Sequence, residues 1–146
     1  MTADGERTYA WDAENRLVEI GYAADAQKKT TFRYDGLGRR GAMVETDAAQ
    51  SETIAFLWDG TDLVLASAGS TVKRYFAQGE VHGEAKLFYV QDRLGSVRET
   101  VNEKRLITSR MDYTAYGETE TKLTPKIGMA PDYRYAGLYY HKQSGL

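Results

Sequence analysis

The chain has 146 residues, 19 basic against 21 acidic, a formal net charge of -2, and no cysteine. That length suits one ordinary domain with its own core, and the balanced charge offers no basic footprint for nucleic acid or an anionic membrane. Lack of cysteine excludes disulfide frameworks, thiolate catalysis and most zinc sites. No 18-residue apolar run occurs and the opening MTADGERTYAW has no basic segment leading into an apolar one, so neither membrane insertion nor a cleavable leader is expected.

The first element is YAWDAENRLVEI, residues 9–20, and it returns as FRYDGLGRRGAM at 32–43 and FLWDGTDLVLAS at 56–67. In each copy two aromatics stand two apart: Tyr9 and Trp11, Phe32 and Tyr34, Phe56 and Trp58. Side chains alternate along a strand, so each pair shares one face. An aspartate follows at once, Asp12, Asp35 or Asp59, suited to accept hydrogen bonds from turn amides. Three residues later come Asn15, Gly38 and Asp62, types that tolerate the left-handed backbone of a compact turn. A fourth copy of the turn lies in QDRLGSV, with Asp92 and Gly95.

After each turn the chain resumes as a strand, in RLVEIGY, RRGAMVET, LVLAS and SVRETV. One hairpin is marginal in water, so the units are expected to stack edge to edge as a repeat array covering one another's rings. Further strands are predicted near 71–77, 86–91, 96–101, 104–113 and 133–140, and no segment has helical periodicity. The polar stretch 114–132, TAYGETETKLTPKIGMAPD, holds both prolines and is predicted as a long flexible loop. The expected organisation is a hairpin array over 1–80 and a segment over 81–146 continuous with the same sheet.

Candidate chemistry is thin. Asp12, Asp35, Asp59 and Asp92 each have a structural task, although stacked turns could align carboxylates for a weak calcium site. His82 and His141 have no nucleophile at a recognisable spacing and are expected on the surface or in loops. Arg33 and Arg134 alternate with rings but face away from them, and the glycines at 36, 38 and 41 lack the lysine and helix of a phosphate loop. No catalytic residue, metal or cofactor is assigned. The functional alternative is a carbohydrate-binding face, an exposed ladder of Tyr9, Trp11, Phe32, Tyr34, Phe56 and Trp58.

WDAENRL and YDGLGRR resemble the tyrosine-aspartate unit of the YD-repeat, or RHS-repeat, family. FLWDGTDLVLA resembles its leucine-valine variant. YVQDRLGSVRETVNEKRLITSRMDYTAYGE with YRYAGLYYHKQSGL is similar to the RHS-associated core segment. The resemblance implies an all-β fold of stacked antiparallel hairpins in a curved, twisted sheet, a fragment of a shell. It further implies a non-enzymatic scaffold that encloses or presents an exported toxin. Export or cell-surface association is implied for a full-length protein; for a stand-alone chain, the lack of a readable leader makes a cytoplasmic place the expectation. The family's segment continues past the final Gly-Leu into another strand and an aspartate-proline cleavage motif. Strand-edge pairing with itself or with that missing segment is therefore the expected partnership. YRYAGLYYHKQSGL then reads as half a hairpin, Tyr133 and Tyr135 sharing a face extended by Tyr139, that borrows a partner strand or frays.

Overall fold

The computed structural model describes residues 2–48, 50–123 and 129–146. Among them, twelve strands form one sheet whose order follows the chain: β1 (Arg7–Trp11), β2 (Leu17–Tyr22), β3 (Asp25–Tyr34), β4 (Arg40–Asp47), β5 (Gln50–Asp59), β6 (Asp62–Ala68), β7 (Thr71–Phe76), β8 (Gly79–His82), β9 (Ala85–Gln91), β10 (Val97–Val101), β11 (Ile107–Tyr113) and β12 (Thr119–Leu123). The all-β architecture of consecutive antiparallel hairpins is the one the repeat implies. Two compact units divide the chain, Met1–Arg74 and Tyr75–Leu146. That division falls a few residues before the expected boundary at 80.

The repeated turns share one hydrogen-bond frame. At Asp12, Asp35 and Asp92 the backbone N–H donates to the carbonyl four residues on, and the N–H three residues on donates back to the aspartate carbonyl. One carboxylate oxygen accepts from the amides two and four residues on: Glu14 and Arg16, Leu37 and Arg39, Leu94 and Ser96, all at 2.9–3.0 Å. The residue three on is left-handed, with φ of +58° at Asn15, +75° at Gly38 and +81° at Gly95. Glycine and asparagine meet that demand at little steric cost. Two further copies escaped sequence reading because the acceptor is not aspartate. Asn102 caps Lys104 and Leu106 with Arg105 at φ +61°, and the Thr114 hydroxyl accepts from Glu118 with Gly117 at φ +87°.

The third repeat departs from this frame. Asp59 lies directly opposite Asp62 across a two-residue turn, and Gly60 takes the positive φ of +57°. The left-handed role expected of Asp62 therefore belongs to Gly60, because glycine at the first central position of a short hairpin turn closes it one step sooner.

The other carboxylate oxygen of Asp35 meets Arg39 Nε at 2.8 Å, as that of Asp12 meets Arg16 Nε at 2.7 Å. The Arg39 amide, then the Arg39 guanidinium and the Leu37 amide, outweigh desolvation and hold Asp35 below its ordinary value of 3.8. A carboxyl depressed in the folded state binds fewer protons there than in the unfolded chain. Its stabilisation is present above 3.8 and is lost as pH falls through the depressed value. Unfolding midpoints measured from pH 6 down to pH 2 should fall through that window, and Asp35→Asn should flatten the fall.

Bulges decide where the paired rings go. The register shifts between Ala10 and Trp11, between Arg33 and Tyr34, and between Leu57 and Trp58, immediately before the second ring each time. A bulge re-aims the side chain that follows it. The first ring stays inward, Phe32 being buried, while the second leans toward the hairpin before it. There it finds a carbonyl five residues past that hairpin's turn residue. Tyr34 Oη donates to Leu17 O at 2.7 Å, Trp58 Nε1 to Arg40 O at 2.8 Å, and in the second unit Tyr113 Oη to Val97 O at 2.5 Å. Arg16 stacks 5.0 Å from the Tyr34 centroid and Arg98 5.1 Å from that of Tyr113.

In the first unit Ile20, Phe32 and Met43 form the buried core, with Tyr9, Leu17, Tyr22, Tyr34, Ile54 and Phe56 packed around them. Tyr9 lies opposite Ile20, and Phe32 opposite Met43, which faces Ile54 on its other side. Each fully buried side chain of this size contributes roughly 1.5–3 kcal/mol. The rings are thus spent on the sheet's own interior. Of the six in the expected carbohydrate ladder, only Trp11 is exposed, so the exposed face that reading requires does not form.

The second unit has a more polar interior. Leu87, Val97 and Met111 are buried beside Thr100, Thr108 and Ser109, and Thr100 Oγ1 lies 2.6 Å from both Thr108 Oγ1 and Ser109 Oγ. Buried hydroxyls satisfied by one another avoid the cost of desolvation. Two expectations change in this unit. Within 114–132, read as loop, β12 pairs with β11 in continuous register from Ser109↔Leu123 to Tyr113↔Thr119, while 124–128 lie outside the described residues. The region 133–140, read as a strand, instead folds back on itself around a 3-10 turn at Tyr135–Gly137. Tyr133 bridges Tyr139, and the Tyr140 amide donates to Asp132 O.

That fold-back is another copy of the turn frame. The Arg134 N–H donates to Leu138 O and the Gly137 N–H to Arg134 O, with Gly137 at φ +67°. Arginine has no acceptor for the amide two residues on. Ser96 Oγ takes that place, accepting from the Ala136 N–H at 2.9 Å. The stretch pairs with itself through Tyr133 and Tyr139 and also borrows from the start of β10, where the Val97 N–H donates to Arg134 O at 3.1 Å, so it does not fray; Tyr133 and Tyr135 do not share a strand face.

Candidate functional site

Among the described residues, one group of three metal-capable side chains comes together, in the second unit and including none of the repeated aspartates. On β8, Glu80 and His82 stand two apart and so share a face. Glu80 pairs across to Leu87 and His82 to Ala85. Asp132, distant in sequence, follows the buried Pro131 and leads into the fold-back. His82 Nε2 lies 3.2 Å from Glu80 Oε1 and 3.8 Å from Asp132 Oδ2. One ligand atom from each of the three falls within 4.8 Å of the others.

A ring of hydrogen bonds fixes both carboxylates. The Asp132 N–H donates to Glu80 Oε1 at 3.0 Å and Oε2 at 3.1 Å. Tyr89 Oη donates to Glu80 Oε2 at 2.8 Å, and Tyr75 Oη to Asp132 Oδ2 at 2.7 Å. Burial first, then the neighbouring carboxylates, pushes the Tyr75 and Tyr89 hydroxyls far above the usual tyrosine range. Both phenols therefore remain donors. Above them, Tyr75, Tyr133 and Tyr139 form a triangle of edge-to-face rings with centroids 5.4, 6.3 and 6.1 Å apart. These contacts tie the fold-back to β7 and bring Asp132 over β8.

The Glu80 side chain is 0% exposed, that of His82 13% and that of Asp132 17%. His82 Nε2 is sealed from solvent and makes no hydrogen bond of acceptable geometry among the described residues. Two carboxylates and an imidazole so placed can hold a cation or share a proton, and among the described residues no serine, threonine or lysine hydrogen-bonds His82. His141 lies elsewhere in this unit, buried, with Nδ1 2.7 Å from Ser144 Oγ. His82 lies on a strand with its side chain largely buried, against expectation, whereas His141 lies in a terminal turn, as expected, but is buried there. The His141–Ser144 contact sits inside the terminal turn, where the Gly145 amide donates to His141 O.

The sequence-selected residues do not converge. Asp12, Asp35 and Asp92 occupy separate turns, each engaged with its own amides and arginine. For Asp92, burial pulls upward most, yet the Leu94 amide, Arg98 and the Ser96 amide bring the net shift below the ordinary range. Asp59 belongs to the short turn. Among the described residues, the carboxylate groups able to share a cation are Glu80 and Asp132 with His82. The Glu80–His82 spacing was a visible signal. Its third member was not, because only the fold-back brings Asp132 to β8.

No family model matches the chain. It is 26% identical over 165 aligned residues to the tRNA3(Ser)-specific nuclease WapA of Bacillus spizizenii, and equally so to the tRNA nuclease WapA of Bacillus subtilis. Each alignment takes in 99% of this chain and 6% of the relative, so the chain spans a small fraction of the curated proteins it matches. Among solved structures, the TcdB2-TccC3-Cdc42 crystal structure superposes with a TM-score of 0.76 at 15% identity, over 99% of this chain and 8% of that one. The Photorhabdus luminescens Tc holotoxin pore gives 0.66 at 15% identity, over 96% and 8%. At such identity the likeness establishes a shared fold.

Proposed function

We propose that the chain is a segment of a YD-repeat or RHS-repeat shell, a non-enzymatic scaffold within a larger protein that encloses or presents an exported toxin. The observation that carries this reading is the ordered twelve-strand array itself. Its fold is shared along nearly the whole chain with the TcdB2-TccC3 structures, and its sequence is distantly similar to the WapA nucleases. The interior of the first unit supports it as well. Rings that could have formed a binding face are consumed in packing hairpin on hairpin, which is the task of a wall. The ends of the array, at β12 and beyond the short Ala3–Thr8 bridge that lines β1, are the natural places for further hairpins to add, since strand edges accept new strands.

The test is the product of the complete natural gene. Electron cryomicroscopy should show additional hairpins continuing this sheet, and limited proteolysis should leave the remainder of the protein protected inside it. A gene product with no further hairpins, or one whose remaining regions are cleaved as fast as an unfolded chain, would remove the scaffold reading.

A further inference from the structure

The geometry points to a divalent transition-metal site, of zinc type, built from Glu80, His82 and Asp132. Three observations converge on it. First, the donor set is mixed oxygen and nitrogen, two carboxylates with an imidazole, which suits zinc and its neighbours better than calcium or magnesium. Second, the spacing from His82 to each carboxylate is near what a metal needs, and all three ligand atoms lie within 4.8 Å of one another. Two ligands each about 2.0 Å from a tetrahedral zinc ion stand about 3.3 Å apart. His82 Nε2 and Glu80 Oε1 are 3.2 Å apart, and Asp132 Oδ2 at 3.8 Å needs only a small closure. Three protein ligands leave a fourth position for water.

The third observation is charge and orientation. Among the described residues His82 Nε2 is a solvent-sealed polar atom without a hydrogen bond, and it lies 3.2 Å from one carboxylate and 3.8 Å from the other. Among the described residues, no lysine or arginine lies within ion-pair distance of Glu80, whose side chain is wholly buried. A divalent ion bound here would take both carboxylates and a neutral imidazole as ligands, and would supply the positive charge that no lysine or arginine brings to Glu80 among the described residues.

The outer contacts resemble those that orient metal ligands. Tyr89 holds Glu80 by Oε2 and the Asp132 amide spans both its oxygens, which directs Oε1 toward His82. Tyr75 holds Asp132 by Oδ2. Such supporting hydrogen bonds fix ligand direction and tune affinity. Because Asp132 opens the fold-back while Glu80 and His82 lie on β8, the ion would pin residues 129–146 to the sheet of this unit.

The intact chain, stripped with EDTA, is titrated with zinc and with cobalt(II) at neutral pH. One equivalent should bind, with a tetrahedral cobalt spectrum and a higher melting temperature that EDTA reverses. His82→Ala should weaken binding on the order of 100-fold or more, and Tyr75→Phe roughly 10- to 100-fold. The chain has two histidines, so ring resonances report the site without any variant. Zinc should shift those of His82 and leave those of His141 in place. No bound equivalent, binding undiminished in His82→Ala, or an unmoved His82 resonance would each overturn the assignment.

Discussion

Glu80→Ala is expected to lower the unfolding free energy by about 3–5 kcal/mol, measured by urea denaturation of the metal-free chain. The magnitude follows from what the carboxylate leaves behind. Tyr89 Oη and the Asp132 amide would both face an empty, dry space. Each buried donor stripped of its acceptor costs on the order of 1–3 kcal/mol. Glu80→Gln keeps an acceptor for Tyr89 and the amide, so it should cost markedly less. If the two variants proved equally stable, the hydrogen bonds would not be what the site contributes, and cavity formation alone would explain the loss. The fold-back should respond with it: amide exchange over 132–140 should accelerate in Glu80→Ala, since Asp132 would lose its grip on β8.

Gly79→Ala comes next, with an expected loss of about 3 kcal/mol, the upper part of the range for overpacking. Gly79 opens β8 and pairs with Phe88 on β9. A Cβ there would lie 2.2 Å from the Leu87 carbonyl oxygen, 3.2 Å from its carbon and 3.3 Å from Phe88 Cα. All three are backbone atoms, so no side chain can rotate aside and the ladder itself must separate. Gly60→Ala is the informative control. Nothing lies within 4 Å of its Cβ, and only the positive φ of +57° resists the change. It should cost roughly 1–2 kcal/mol. Thermal unfolding of the two variants separates collision from backbone preference, and a Gly79→Ala chain as stable as the parent would contradict the close approach of β8 to β9.

Much of the sheet could be read directly from the residues. The two-apart rings, the aspartate and the left-handed position are local features, so Asp12 with Asn15, Asp35 with Gly38, and Asp92 with Gly95 fall where turn chemistry puts them. Asn102 and Thr114 were obscured because the frame is a backbone pattern that several side chains can complete. The ladder of rings was misjudged for a related reason. Period-two alternation gives a face but not what covers it, and the bulges before Trp11, Tyr34 and Trp58 break that alternation.

The fold-back and the Glu80 cluster were the least legible parts. Alternating tyrosines at 133–140 look like a strand, yet Ala136 and Gly137 adopt φ of +51° and +67°, which turns the chain. Ser96 supplies the cap that Arg134 cannot, and nothing local announces a partner forty residues away. The same holds for Asp132, which the triangle of Tyr75, Tyr133 and Tyr139 and its own amide bond to Glu80 hold beside β8.

The ring-to-carbonyl bonds of Tyr34, Trp58 and Tyr113 make three of the rings keys to the return strand of the hairpin before them, whose carbonyl is the keyhole. Interactions that reach only the next neighbour give an array whose energy is a sum over adjacent pairs. Such a chain can gain or lose whole hairpins by duplication or deletion without disturbing distant ones, provided the number of residues between successive rings is kept. A single-residue insertion between Asp12 and Leu17 would instead move the keyhole from its key, and the damage would stop one hairpin away.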